Sequence, residues 1–142
     1  MNAHPFVRNQ QWRRKDLWGS GQYLASRDGG KRQHKGLDII AKSGYEIYAP
    51  FPCEITRKGY VYNDTLDYNL LEIAGKNEWS EYKVKIFYIK PAICQNEFAA
   101  GEVIGYAQDI TLRYPFITNH IHVELYRYGL PVDAQDLFGE CL

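Results

Sequence analysis

Between residues 37 and 126 the chain runs in short apolar bursts, several alternating with polar residues, each closed by turn-forming residues. Leu37–Ile40, Glu46–Ala49, Glu54–Thr56, Asn69–Ile73, Lys83–Ile89, Val103–Tyr106 and His120–Tyr126 each read as a strand. Period-two alternation is what one-sided burial of a strand demands, because successive side chains leave it on opposite faces. The breaks at Lys42-Ser43-Gly44, Pro50-Phe51-Pro52, Ala74-Gly75-Lys76-Asn77 and Ala100-Gly101-Glu102 carry the residues that tight turns favour. No apolar stripe of helical period extends over three turns. Asp133–Leu137 predicts one short turn, capped by Asp133 and Asp136. Many short strands without crossover helices predict an all-β, antiparallel fold, sandwich- or barrel-like.

A length of 142 residues suits one domain with a real core. Residues 1–18 stand apart. They lack a clean period and combine Arg8, Arg13, Arg14 and Lys15 with Trp12 and Trp18, so they read as a basic, aromatic N-terminal arm before a β domain spanning 19–142. Charge divides the same way: residues 1–35 hold eight Lys/Arg against Asp16 and Asp28, and the remainder holds nine against fifteen acids. Such an arm suits an acidic protein partner, nucleic acid, or docking on its own or a neighbouring domain. No nucleic-acid motif accompanies it. A protein partner, in a larger assembly, is therefore the expectation, with Arg8, Trp12, Arg13, Arg14, Lys15 and Trp18 as its contacts. Twelve tyrosines suit strands with one wet face.

No apolar run approaches the roughly 18 residues of a membrane span. Residues 1–18 lack the hydrophobic core of a signal peptide. Cys53, Cys94 and Cys141 are odd in number and unpatterned, which favours reduced thiols in an intracellular compartment; a secreted form implies that a leader was removed. Trp79 reads as a local packing residue, Tyr60 and Tyr62 as strand surface, and Asn63-Asp64 as a turn.

The candidate chemistry lies in two clusters, His34-Lys35-Gly36-Leu37-Asp38 and His120-Ile121-His122, which hold three of the four histidines. Imidazole and carboxylate are preferred zinc ligands, and three of them around a tetrahedral ion leave one open place. On a strand His120 and His122 share a face, about 7 Å apart, while Ile121 and Val123 face the core. One can bind metal while the other stands beside the bound water. His34 and Asp38 would be about 13 Å apart if fully extended, so the segment must bend, most easily at Gly36.

His34-x-x-x-Asp38 with His120-x-His122 resembles the signature of the lysostaphin-type zinc endopeptidases. The flanks agree: Gly36-Leu37-Asp38-Ile39, Gly44-x-x-Ile47-Tyr48-Ala49-Pro50, Gly101-Glu102-Val103-Ile104-Gly105 and His122-Val123-Glu124. Gly21-Gln22-Tyr23, Tyr48-Ala49-Pro50-Phe51 and Phe87-Tyr88-Ile89-Lys90-Pro91 are similar to the chemotaxin branch of that superfamily. The resemblance covers residues 19–139 and implies an antiparallel β-sandwich of duplicated-hybrid-motif type. It implies Zn2+ held by His34, Asp38 and His122, with His120 at the place of a proton-moving histidine. It also places Tyr88 where the peptidases carry a second histidine, and Thr118 where they usually carry glycine. A phenol donates one hydrogen bond and carries no positive charge near neutral pH. The chemotaxin branch has disulfides near Gly21-Gln22-Tyr23 and the first ligand strand; this chain has no cysteine there. The expectation is a zinc-binding but catalytically silent peptidase-like module that binds protein. The competing expectation, kept open by the intact ligand set and His120, is an active endopeptidase for glycine-containing peptides.

Overall fold

Alternating burial along His120–Arg127 sets the frame: Ile121, Val123 and Leu125 are buried, while the polar residues between them lie on the other face. In the computed structural model, residues 2–13, 36–92 and 95–138 are described, together with the backbone of 26–27 and 32–33. The described residues form strands and two short 3-10 turns, with no α-helix. The strands are β1 (Ser26–Arg27), β2 (Arg32–Gln33), β3 (Leu37–Ile40), β4 (Glu46–Tyr48), β5 (Cys53–Tyr60) and β6 (Asn69–Gly75). They continue with β7 (Tyr82–Phe87), β8 (Ile89–Pro91), β9 (Glu97–Phe98), β10 (Val103–Ala107), β11 (His120–Arg127) and β12 (Leu130–Val132).

Every strand pairing is antiparallel. The large sheet runs β12-β11-β7-β6-β5-β9, and β3 pairs with the first half of β11 on the edge that β12 occupies further along. A smaller sheet runs β4-β10-β8, and β1 pairs with β2. The core holds Ile39, Ile73, Ile86 and Ile121 from the large sheet with Ile47, Ile89 and Ile104 from the small one, all without solvent exposure. The all-β antiparallel expectation holds.

One predicted run is divided. Lys83–Ile89 reads as a single strand, yet β7 ends at Phe87 and β8 begins at Ile89 in the other sheet. Tyr88 between them has φ 70°, a left-handed conformation costly for a bulky residue. Neighbouring backbone fixes it there: its N–H donates to the Asn69 carbonyl at 2.9 Å, and its own carbonyl accepts from Gln108 N–H at 2.9 Å. Strand propensity is continuous through Ile86, Phe87 and Ile89, so tertiary hydrogen bonds override it. The short strands β9 and β12 lie outside the predicted runs. Trp79 sits in the 3-10 turn Asn77–Trp79, its ring stacked on buried Phe51 at 4.9 Å, as its packing role anticipated. Asp133 caps the turn Ala134–Leu137 by accepting from Gln135 N–H at 2.9 Å; Asp136 lies inside its first turn.

Residues 2–13 dock on their own domain. Phe6 N–H is held by the Gln10 side chain at 2.7 Å, and the Phe6 carbonyl accepts from Tyr48 N–H of β4 at 2.8 Å. Further on, Ile40 N–H donates to the Gln11 carbonyl and Arg13 N–H to the Asp38 carbonyl, both at 2.8 Å, so Gln11–Arg13 line the free edge of β3. Ala3, Phe6 and Val7 are buried in the common core, with Phe6 edge-on to Phe138 at 5.8 Å. Burying a phenylalanine side chain contributes about 2–3 kcal/mol, so this segment is part of the packed unit.

Candidate metal centre

The register of β3 against β11 builds the site. Asp38 lies opposite His122, and Ile40 opposite His120, so both histidines look toward the one carboxylate. Asp38 Oδ1 is 2.8 Å from His122 Nδ1, and Asp38 Oδ2 is 3.3 Å from His120 Nε2. The shared face expected of His120 and His122 is present, with Ile121 and Val123 in the core. The chain bends at Gly36, and a Cβ there would lie 2.3 Å from the Val123 carbonyl oxygen and 2.8 Å from the His122 ring. Only glycine permits that approach. His34 lies outside the described residues, as do Arg14, Lys15 and Trp18 of the arm and Cys94 and Cys141. Among the described residues no group of three His, Cys, Asp or Glu side chains forms a metal cage.

Asp38 is 2% exposed and forms an ion pair with Arg13, also 2% exposed, through Nη1 to Oδ2 at 2.7 Å. Arg13 therefore turns inward, unlike the outward contact its place in the arm suggested. Trp12 is half-buried with its ring 6.2 Å from Phe138, while Arg8 is exposed. His122 presents Nδ1 to Asp38 and Nε2 to Glu124 Oε2 at 3.0 Å. Burial opposes a charge on this imidazole, but the hydrogen bonds to Asp38 and Glu124 more than offset it and push its pKa up to about 9. Glu124 is half-buried, which opposes its charge, yet hydrogen bonds from His122 and from Tyr126 Oη, at 2.6 Å to Oε1, hold its carboxyl below the usual range. The result is an alternating chain of charges, Arg13–Asp38–His122–Glu124.

His120 behaves differently. Its Nδ1 is 2.7 Å from the Thr118 carbonyl, which can only accept, so Nδ1 carries a proton. Burial pushes its pKa down despite the nearby Asp38 carboxylate, which favours the neutral ring. The Nε2 lone pair then faces the Asp38 carboxylate, an arrangement that calls for a cation or a donated proton beside it.

Asp38 and His122 are donors of the kind a divalent ion takes. Ligands about 2.0 Å from tetrahedral zinc lie about 3.3 Å from each other, so Asp38 Oδ1 and His122 Nδ1, at a hydrogen-bond distance of 2.8 Å, would part by about 0.5 Å around an ion. A metal-binding histidine characteristically gives its other N–H to a carboxylate, the part Glu124 can take. With His34, which lies outside the described residues, Asp38 and His122 would make two imidazoles and a carboxylate, the donor set of a zinc site with an open place.

Tyr88 adjoins this centre, its ring perpendicular to His120 at 5.9 Å between centroids. Its hydroxyl is 2.9 Å from that of Tyr62, which in turn bonds Tyr114 at 2.5 Å. Burial pushes the Tyr88 pKa up to about 12. Tyr62 is thus part of the site wall, whereas Tyr60 is surface as expected. Arg113 stacks its guanidinium 3.7 Å over the Tyr62 ring. Asn119 secures the approach to β11: it accepts from Ile110 N–H at 2.8 Å and donates to the carbonyls of Ala41 and Gln108 at 2.6 and 2.9 Å. Sequence reasoning missed Glu124, Asn119, Tyr62 and Tyr114 and the inward role of Arg13. Period two along β11 already placed Glu124 on the His122 face; the others are long-range contacts with no local signature.

No family model matches the chain. It is 34% identical over 110 residues to leukocyte cell-derived chemotaxin-2 of Mus musculus and of Bos taurus, covering 77% of this chain and 69% of each relative. Among solved structures, a zinc containing peptidase from Vibrio cholerae superposes with a TM-score of 0.62 at 17% identity, covering 99% of this chain and 40% of that one. The catalytic domain of lysostaphin from Staphylococcus simulans gives 0.58 at 16% identity, with 92% and 90% coverage. A chain of the SpoIIIAH and SpoIIQ complex gives 0.66 at 13% identity, with 96% and 100% coverage. These structural likenesses establish the lysostaphin-type fold. With the sequence identity to two mammalian relatives, they make this chain a member of the leukocyte cell-derived chemotaxin-2 family.

Proposed function

We propose that this peptidase-like domain binds Zn2+ through His34, Asp38 and His122 and serves as a catalytically silent protein-interaction module. Tyr88 carries the reading. The resemblance puts this phenol at the place of a peptidase histidine, and its backbone is left-handed with its hydroxyl bonded to Tyr62. A neutral phenol supplies no positive charge to a developing oxyanion, and loss of one such stabiliser costs about 10²–10³ in rate. A bound zinc ion would polarise a carbonyl and activate water. Asp38 would supply its carboxylate to the ion, Glu124 would hold the His122 ring, and His120 Nε2 would stand ready for a proton.

A partner-binding face is supported by exposed apolar side chains on two loops, Leu66 at 70%, Leu112 at 83% and Phe116 at 86% exposed. Large apolar side chains left in water become favourable contacts when a partner covers them. Between these loops runs a groove of about 630 Å³ lined by Tyr68, Gln108, Asp109 and Arg113 among others. Arg8, exposed on the docked arm, lines a separate, smaller pocket with Tyr45, Glu46 and Tyr48.

His120 sustains the second reading, an active endopeptidase for glycine-containing peptides, because its Nε2 lone pair faces the metal-side carboxylate. Zinc-loaded protein incubated with oligoglycine and peptidoglycan peptides decides between them. The expected result is no metal-dependent cleavage by the wild type; turnover abolished by His120→Ala would establish the peptidase instead. Metal analysis of His34→Ala, expected to lose zinc, tests the ligand set.

A further inference from the structure

Asp38 has two carboxylate oxygens with different surroundings, Oδ1 toward His122 and Oδ2 toward Arg13 and His120. We propose that Arg13 is a built-in competitor for the metal site, so that docking of the N-terminal arm and binding of a divalent cation oppose each other through Asp38. The proposal rests on the zinc site proposed above. Arg13 and Asp38 are 25 positions apart in sequence, and their side chains meet at 2.7 Å with both almost wholly buried. The pair is reinforced by the bond from Arg13 N–H to the Asp38 carbonyl and by the Trp12–Ile39 bridge.

A guanidinium cannot shed its proton at any physiological pH. The charge of Arg13 therefore leaves the site only if the arm moves. A divalent ion held by Asp38 and His122 would share its carboxylate with that fixed charge, whose Nη1 is 2.7 Å from Asp38 Oδ2. The surroundings screen it poorly, because the rings of Phe87 and Tyr88 close on His122 and His120 at 4.9 and 5.9 Å. Arg13 also shares the one carboxylate that the ion requires. Linkage is reciprocal: the factor by which the docked arm weakens zinc binding is the factor by which zinc weakens docking.

Two measurements on the full chain test the coupling. Zinc affinity is read by competition with a chromophoric chelator for wild type, Arg13→Gln and Arg13→Lys. Hydrogen exchange of the Arg13 and Ile40 amides is followed with and without zinc. Arg13→Gln is expected to bind zinc at least tenfold more tightly, and Arg13→Lys, which keeps the charge, to stay within threefold of wild type. Zinc is expected to accelerate exchange at both amides in the wild type. Equal or weaker zinc binding by Arg13→Gln overturns the proposal and makes Arg13 a supporting residue instead. If that variant fails to fold, unchanged amide protection in zinc-saturated wild type overturns it alone. Failure of wild type and variants alike to take up zinc removes the site itself.

Discussion

Replacing Gly36 with alanine isolates the closest approach in the candidate centre. The added methyl would sit 2.3 Å from the Val123 carbonyl oxygen and 2.8 Å from Cε1 and Nε2 of His122. Ordinary non-bonded contact needs about 3.5 Å, so β3 and β11 must part by roughly 1 Å. A backbone hydrogen bond stretched by that much passes beyond bonding distance. Each lost buried bond costs about 1–3 kcal/mol, and forced overpacking costs about as much again. We expect Gly36→Ala to lower unfolding free energy by about 3 kcal/mol and to weaken metal uptake by displacing His122. Gly44→Ala is the control. Gly44 has φ 88° with open space around it, so alanine there suffers backbone strain alone, about 1 kcal/mol. Urea unfolding followed by tryptophan fluorescence measures both. Equal losses for the two variants, or a Gly36→Ala loss within 0.5 kcal/mol of zero, would refute the steric argument.

Asn119→Ala removes three hydrogen bonds that tie β11 to the Ala41 and Gln108–Ile110 backbone; a loss of about 2–4 kcal/mol in urea is expected, and a loss under 0.5 kcal/mol would contradict that tie. Cys53 is fully buried, and burial pushes its thiol up to about 12; an aromatic disulfide reagent at pH 8 should label it only after denaturation, and rapid native labelling would show the thiol to be open. Burial likewise raises the Tyr88 pKa, from 10.0 to about 12. A group protonated more tightly when folded stabilises fully below its unfolded pKa, so the Tyr88 contribution should be constant to about pH 9 and fall between pH 10 and 12. Comparing the pH dependence of unfolding in Tyr88→Phe with wild type checks this; identical curves above pH 10 would show that Tyr88 makes no such contribution.

The shared face of the two histidines was legible because it depends on local period. Two-residue alternation placed His120 and His122 on one face and Ile121 and Val123 in the core, and the distance argument located the bend at Gly36. The strands β3, β4, β6, β10 and β11 follow their apolar patterns closely. The break at Tyr88 was hidden because Phe87 and Ile89 both favour extended backbone, and the bonds to Asn69 and Gln108 that turn the chain are formed only on folding. The partnership of Arg13 with Asp38 was equally hidden: a run of arginine and lysine reads as a solvated arm until the fold brings one guanidinium beside a buried carboxylate. The hydroxyl chain Tyr88–Tyr62–Tyr114 links loops up to 52 positions apart and has no signature along the chain.

The left-handed residue between β7 and β8 has a mechanical corollary. One uninterrupted ribbon serves as a strand of each layer, so the layers are stitched covalently where their hydrogen-bond ladders end. Sliding one past the other would require rotating Tyr88 out of its fixed dihedral while both flanking isoleucines, Ile86 and Ile89, stay anchored in the shared interior. The small layer therefore has no independent melting step, and amides of Ile89 and Ile104 should exchange with the same opening free energy as those of Ile86 and Val123.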